Sequence, residues 1–193
     1  MPPAHANAEL LRALAKVLKR LRLRWYLFGA QAVVLHGRPR MTEDVDVTVE
    51  VTRAQLGRLV AALTRAGFLP RIDDVATFVA RAHVIPFLHR KSGFPVDVVV
   101  AGDGLEKEFL ERTVAMKIGG SLIPVLAPDD LVITKIIAGR AKDLDDVEGV
   151  FLAQPALDRK RIRRILAEVD AALGENDLVI RFDTIASRRK KRR

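Results

Sequence analysis

The sequence predicts an α/β (α+β) chain in which helices flank a sheet and a helical extension follows toward the C-terminus. Three observations carry that expectation. Short β-rich runs alternate with amphipathic helical stripes through about the first 125 residues, and the pattern turns helical from Pro128 to about Leu173. A length of 193 residues with 49% hydrophobic content is ample for a core.

The elements follow in order. Within residues 9–23, Leu10, Leu14, Val17, Leu18 and Leu21 share one helical stripe with Arg12, Lys16, Lys19 and Arg20 opposite, which predicts a helix packed on the sheet. Trp25-Tyr-Leu-Phe28 reads as a strand, Gly29-Ala-Gln31 as a tight turn, and Ala32–Leu35 as a short helix stopped by Gly37. A strand carrying Asp44 and Asp46 comes next, then a capping box at Thr52-Arg-Ala-Gln55 and a helix along Leu56, Leu59, Val60 and Leu63 that Gly67 ends. Phe68-Leu69, Thr77-Phe-Val-Ala80, Val84–Leu88 and Val96–Val100 read as strands, with Pro86 marking an edge or a bend. Val114–Ile118 and Leu122–Val125 flank Gly119-Gly-Ser121 as a hairpin. These runs divide the chain into a domain over 1–125, a helical region over 126–187, and a cationic tail, Arg188-Arg-Lys-Lys-Arg-Arg193, expected to be disordered.

Chemistry concentrates in the acids. Asp44 and Asp46 interrupt an otherwise apolar strand, and side chains two apart on a strand share a face at roughly 6–7 Å. Two carboxylates held together need a counter-cation, so the pair points to a hard oxygen site for Mg²⁺ or Mn²⁺; the plainer alternative is a strand end with one Asp solvated. Asp97, alone within Pro95-Val-Asp-Val-Val-Val100, is a third acid of the same kind. Three acids on one sheet beside a turn that opens a helix form the set a phosphoryl-transfer site requires, since helix N-termini favour phosphate.

Gly29-Ala30, Asp44-Val45-Asp46 and Asp97, in this order, resemble the nucleotidyltransferase superfamily with the polymerase-β-like palm. The longer string from Phe28 to Asp46, with Leu131–Asp146, is similar to the compact bacterial branch that includes toxin–antitoxin and abortive-infection nucleotidyltransferases. The resemblance covers about residues 24–150 and implies a mixed sheet flanked by helices. It implies catalytic and metal-ligating roles for Asp44, Asp46 and Asp97, and nucleotide binding by Gly29, Ala30, Gln31, Arg40, Thr42 and Lys135. The cofactor would be Mg²⁺ or Mn²⁺ and the substrate an NTP. Ala30 departs from the Gly-Gly or Gly-Ser turn, so any hydroxyl contact to phosphate is absent there.

Charge and composition narrow the partners. The chain has 33 Lys and Arg against 24 Asp and Glu, a net charge of +9, which favours an anionic partner such as nucleotide or RNA; the basic helix around Lys160–Arg164 and the tail carry much of it. An aromatic content of 5% argues against base stacking as the main mode. No run approaches a membrane span and the N-terminus does not read as a signal peptide, so a cytoplasmic location is expected. Without cysteine there is no disulfide and no thiolate metal site.

The remaining polar residues carry weaker signals. His36 could touch a phosphate or cap a helix, and His83 and His89 read as surface residues. Lys135, among Ile133, Ile136 and Ile137, is either a snorkelling lysine or a triphosphate contact, while Asp143, Asp145 and Asp146 read as capping or flanking the next helix's N-terminus in preference to a second metal site. The leading expectation is transfer of NMP to a hydroxyl of RNA, a protein or a small molecule, with a cognate toxin or antitoxin protein as a further partner. The alternative is a catalytically silent module of the same fold that binds RNA or a partner protein.

Overall fold

The structure, a computed structural model, describes residues 4–42 and 44–188. They form two compact units, one within Met1–Gln31 and Met41–Leu126, the other within Ala32–Arg40 and Ala127–Arg193. The expected tail beyond Arg188 lies outside the described residues.

The first unit is built on a seven-stranded sheet. Its elements are α1 (Ala4–Leu21), β1 (Trp25–Phe28), the start of α2 (Gly29–Leu35), β2 (Val45–Val49), α3 (Arg53–Arg65), β3 (Phe68–Pro70), α4 (Val75–Ala82), β4 (Val84–His89), β5 (Pro95–Val100), α5 (Leu105–Glu111), β6 (Val114–Ile118) and β7 (Ser121–Val125). The strand order is β3-β4-β5-β2-β1-β7-β6, with β2·β5 and β1·β7 parallel and the other pairs antiparallel. The sheet is therefore mixed, as expected.

Several local signals act as the sequence suggests. Leu10, Leu14 and Leu18 are fully buried on α1. The helix stops at Leu21, the last residue of the apolar stripe, because Arg22 turns left-handed at φ 56°. Gln55 Oε1 accepts from Thr52 N at 3.0 Å at the start of α3. Gly119 and Gly120, at φ 55° and 83°, close the β6–β7 hairpin with Ile118 opposite Ser121, the two-residue turn that needs positive φ at both positions.

Three expectations change. Thr77–Ala80 is not a strand but lies within α4, because Asp74 caps it: Oδ1 accepts from Thr77 N at 3.0 Å and Oδ2 from Thr77 Oγ1 at 2.6 Å. Such a cap contributes ~1 kcal/mol, more than the few tenths by which β-branched residues disfavour a helix. His89 is not a surface residue. It is buried, bonded through Nδ1 to Ser92 Oγ at 2.8 Å and packed on Phe68 at 4.8 Å, and burial pulls its pKa below the usual histidine range. Pro86 lies on an interior strand; its oxygen accepts from Arg71 N where β3 has just ended, so its missing N–H interrupts no ladder.

The second unit holds α6 (Pro128–Ala138), α7 (Ala141–Ala153), α8 (Arg159–Leu173) and α9 (Asp177–Arg188), together with residues 32–40. Its core includes Ile133, Ile136, Val147, Val150, Ile162, Ile165 and Phe182, with Phe151 and Phe182 rings 5.8 Å apart. Asp170 on α8 accepts from Leu178 N and Val179 N, both at 3.1 Å, and so caps α9. Inclusion of residues 32–40 departs from a contiguous break near 126. Gly149 and Gly37 show how close that segment lies: a Cβ would fall 2.0 Å from Arg38 Cδ at the first and 2.7 Å from Ala153 Cβ at the second. No helix among the described residues is long and apolar enough to cross a membrane.

Candidate active site

Asp46 and Asp97 meet through strand register. On β2, Val45, Val47 and Val49 are fully buried, while Asp46 projects from the opposite face. On β5, Val96 and Val98 are fully buried and Asp97 projects likewise. The two strands run parallel with Asp46 opposite Asp97, so the carboxylates share one face of adjacent strands, about 4.8 Å apart at the backbone. The acids therefore lie on the face of these strands opposite the buried valines.

Asp44 lies one residue before β2 and is exposed, not buried within the strand. Thr42 holds it: its Oγ1 donates to Asp44 Oδ1 at 3.0 Å and also approaches Asp44 O at 3.1 Å. Burial, and secondarily the Asp44 charge, raise the pKa of Asp97, with Arg71 partly opposing them. Arg71 is a cation of the site that its own sequence neighbourhood does not mark; β3 and its pairing bring it there.

Gly29 joins this group sterically. It has φ 64°, and a Cβ built on it would fall 1.9 Å from Asp46 Oδ2. Phe28 is the register partner of Asp46, so the chain turns into α2 directly beside that carboxylate. The group for which glycine makes room here is Asp46 itself. Ala30 and Gln31 are buried, and Gln31 Nε2 has no hydrogen-bond partner among the described residues. Gly29, Ala30, Gln31, Thr42, Asp44, Asp46 and Asp97 all belong to the first unit.

Arg40 and Lys135 belong to the second unit, in an ion network. Lys135 Nζ pairs with Asp143 Oδ1 at 2.7 Å and Asp146 Oδ2 at 3.0 Å, its side chain 9% exposed. Arg40 reaches Asp146 Oδ2 at 2.5 Å and Arg38 reaches Asp146 Oδ1 at 3.2 Å. Arg140 Nε pairs with Asp143 Oδ2 at 2.5 Å. Burial pushes the Asp143 carboxyl up, but hydrogen bonds from Arg140 and Lys135 outweigh it and leave the pKa lowered. Asp143 and Asp146 are thus buried ion-pair acceptors instead of caps; the sequence signal was two acids spaced i,i+3 beside the apolar Val147 and Val150. Lys135 neither snorkels nor stands free. His36 is buried too, its carbonyl accepting from Gln154 Nε2 at 3.0 Å.

The donor chemistry of the three acids suits a hard divalent cation, and the repulsion felt by Asp97 is what such an ion would relieve. Among the described residues, no group of three or more His, Cys, Asp or Glu is already gathered closely enough to hold a metal ion. Mg²⁺ is commonly held by one or two carboxylates plus substrate phosphates instead of an all-protein cage, so the two observations are compatible.

Comparison with known proteins bears on the fold and the family. A search of curated proteins returned no match. Among solved structures, the chain is similar to the antibiotic-resistance factor ANT(2″)-Ia, with TM-score 0.62 and 12% identity over 89% of this chain and 95% of that one. An antigenic nucleotidyltransferase-like protein from Paracoccidioides brasiliensis gives TM-score 0.56 and 18% identity over 91% of each chain. The lincosamide antibiotic adenylyltransferase LnuA, lincomycin-bound, gives 0.50 and 13% over 71% and 91%. At such identities the likeness shows the fold alone. The sequence model of the family described as "Nucleotidyltransferase of unknown function (DUF6036)" matches residues 8–190, nearly the whole chain, and the protein therefore belongs to this nucleotidyltransferase family.

Proposed function

We propose that the protein is a divalent-metal-dependent nucleotidyltransferase that moves NMP from an NTP to a hydroxyl acceptor. The observation that carries this reading is the register of Asp46 with Asp97 on parallel strands, with Gly29 against the Asp46 carboxylate. Asp44 and Asp46 would hold the metal, and Thr42 steadies Asp44 through its hydroxyl. Asp97 would complete the ligand set and take the acceptor's proton. Mg²⁺ or Mn²⁺, when bound, would neutralise charge developing on the triphosphate. Gly29 sets the turn amides of Ala30 and Gln31 beside Asp46, where they bind phosphate by backbone alone. Arg40 and Lys135 act through the ion network of the second unit, which both stabilise.

The acceptor is a hydroxyl of RNA, of a protein side chain such as that of a cognate toxin or antitoxin, or of a small molecule. Fold likeness to ANT(2″)-Ia, solved with adenylyl-2″-tobramycin, and to LnuA, solved with lincomycin, puts tobramycin and lincomycin among the acceptors to test. Purified protein is incubated with each labelled NTP and Mg²⁺ or Mn²⁺, in the presence of total RNA, lysate protein or these antibiotics. Label should move to one acceptor class, and Asp44→Asn, Asp46→Asn and Asp97→Asn should each lower the rate by a factor on the order of 10² or more. Nucleotide binding without transfer to any acceptor would sink the enzymatic reading and leave a binding module.

A further inference from the structure

In the second unit, α8 and α9 border a groove of about 320 Å³ lined by Arg159, Lys160, Arg163, Phe182, Asp183 and Ser187. It is cationic. Arg159 lies 5.1 Å from the centroid of the Phe151 ring, and among the described residues neither it nor the exposed Lys160 has a carboxylate partner. Arg163 pairs with Asp183, the only acid of the lining, at 3.1 Å with both side chains about half exposed. Such a pair opens readily to a competing anion. Arg159 and Arg163 are i,i+4 neighbours with Lys160 beside them, so the cations of the lining follow one another along α8. Ser187 is followed in sequence by six further cations, Arg188 to Arg193.

Repeated charge along a helix matches a ligand with repeated charge. Arginine's planar fork suits phosphate oxygens. A protein partner would need exposed apolar or aromatic anchors, but Phe182 is 2% exposed. Bases have no exposed ring to stack on here, which leaves the phosphate backbone as the feature recognised.

We propose that the α8–α9 groove docks the phosphate backbone of single-stranded RNA without sequence preference. The choice of RNA over DNA rests on the transferase reading, because RNA offers a hydroxyl acceptor at every nucleotide. Binding at the groove does not depend on it.

The test uses the full chain and a short fluorescent oligouridylate, with anisotropy read across a salt series. Lys160→Glu and the pair Lys160→Ala/Arg163→Ala should weaken binding about tenfold and flatten log affinity against log salt by about 0.7 for each phosphate no longer neutralised. Melting temperatures should stay unchanged, because these side chains are exposed. Unchanged affinity and slope overturn the proposal, including the case where only deletion of residues 189–193 abolishes binding. Oligodeoxyuridylate should bind the groove with similar affinity, because the contacts are to phosphate; loss of binding on removal of the 2′-hydroxyl overturns backbone recognition. Groove-dependent RNA binding by a protein that transfers no nucleotide supports the groove while sinking the enzymatic reading, so the two failures are distinguishable.

Discussion

Two substitutions probe the acid cluster at the scale of single residues. Gly29→Ala combines a left-handed φ of 64° with a Cβ 1.9 Å from Asp46 Oδ2. The backbone penalty alone is about 1–2 kcal/mol, and the clash must displace the carboxylate or the turn. Gly29→Ala should therefore lower the midpoint of chemical denaturation and remove nucleotide binding, whereas Gly57→Ala, with open space at its Cβ, should do neither. Asp97 gives a pH signature. Its folded pKa lies above the unfolded value, through burial first and Asp44 second, so the folded state holds the proton more tightly. The resulting stability is complete below the ordinary carboxylate value and is lost as pH rises through the raised one. Asp97→Asn should melt higher than the parent at neutral pH without added metal, and the difference should close in acid. A constant difference across pH would contradict the repulsion argument. The candidate acids were legible in the sequence because charge inside a β-rich run is conspicuous. Arg71, and Thr42 as a hold on Asp44, were not, since neither stands out from its neighbours in sequence.

The helix pair α6–α7 concentrates the electrostatics at the scale of elements. Asp146 serves Lys135, Arg38 and Arg40, and Asp143 serves Lys135 and Arg140. Removing one partner of a buried pair leaves an uncompensated charge, at a cost of about 3–5 kcal/mol. Asp146→Asn and Lys135→Met should each lower unfolding free energy by that order in denaturant titration. Glu168→Gln, in an exposed pair with Arg164, should change it little. Because the Asp143 pKa is lowered, its contribution is present above the ordinary carboxylate value and fades as pH falls through the lowered one. Capping explains where element prediction worked and failed. The Thr52 box and the Gly119-Gly120 hairpin declare themselves within a few residues, but Asp74 changed Thr77–Ala80 from a strand pattern to helix by one side chain.

Across the whole molecule, the sheet order β3-β4-β5-β2-β1-β7-β6 differs widely from chain order. Three adjacent central strands carry Asp97, Asp46 and the approach to Gly29, although Gly29 and Asp97 are far apart in sequence. Propensity, periodicity and turn chemistry act over a few residues. The mixed α/β character, most strand positions, the helical C-terminal third, the acids and the cationic charge could therefore be read from the chain alone. The facing of Asp46 and Asp97, the joining of residues 32–40 to the C-terminal helices, and the commitment of Lys135 to Asp143 and Asp146 emerged only on folding. Register and buried ion pairing depend on which distant surfaces exclude water together, and no local window of sequence contains that information.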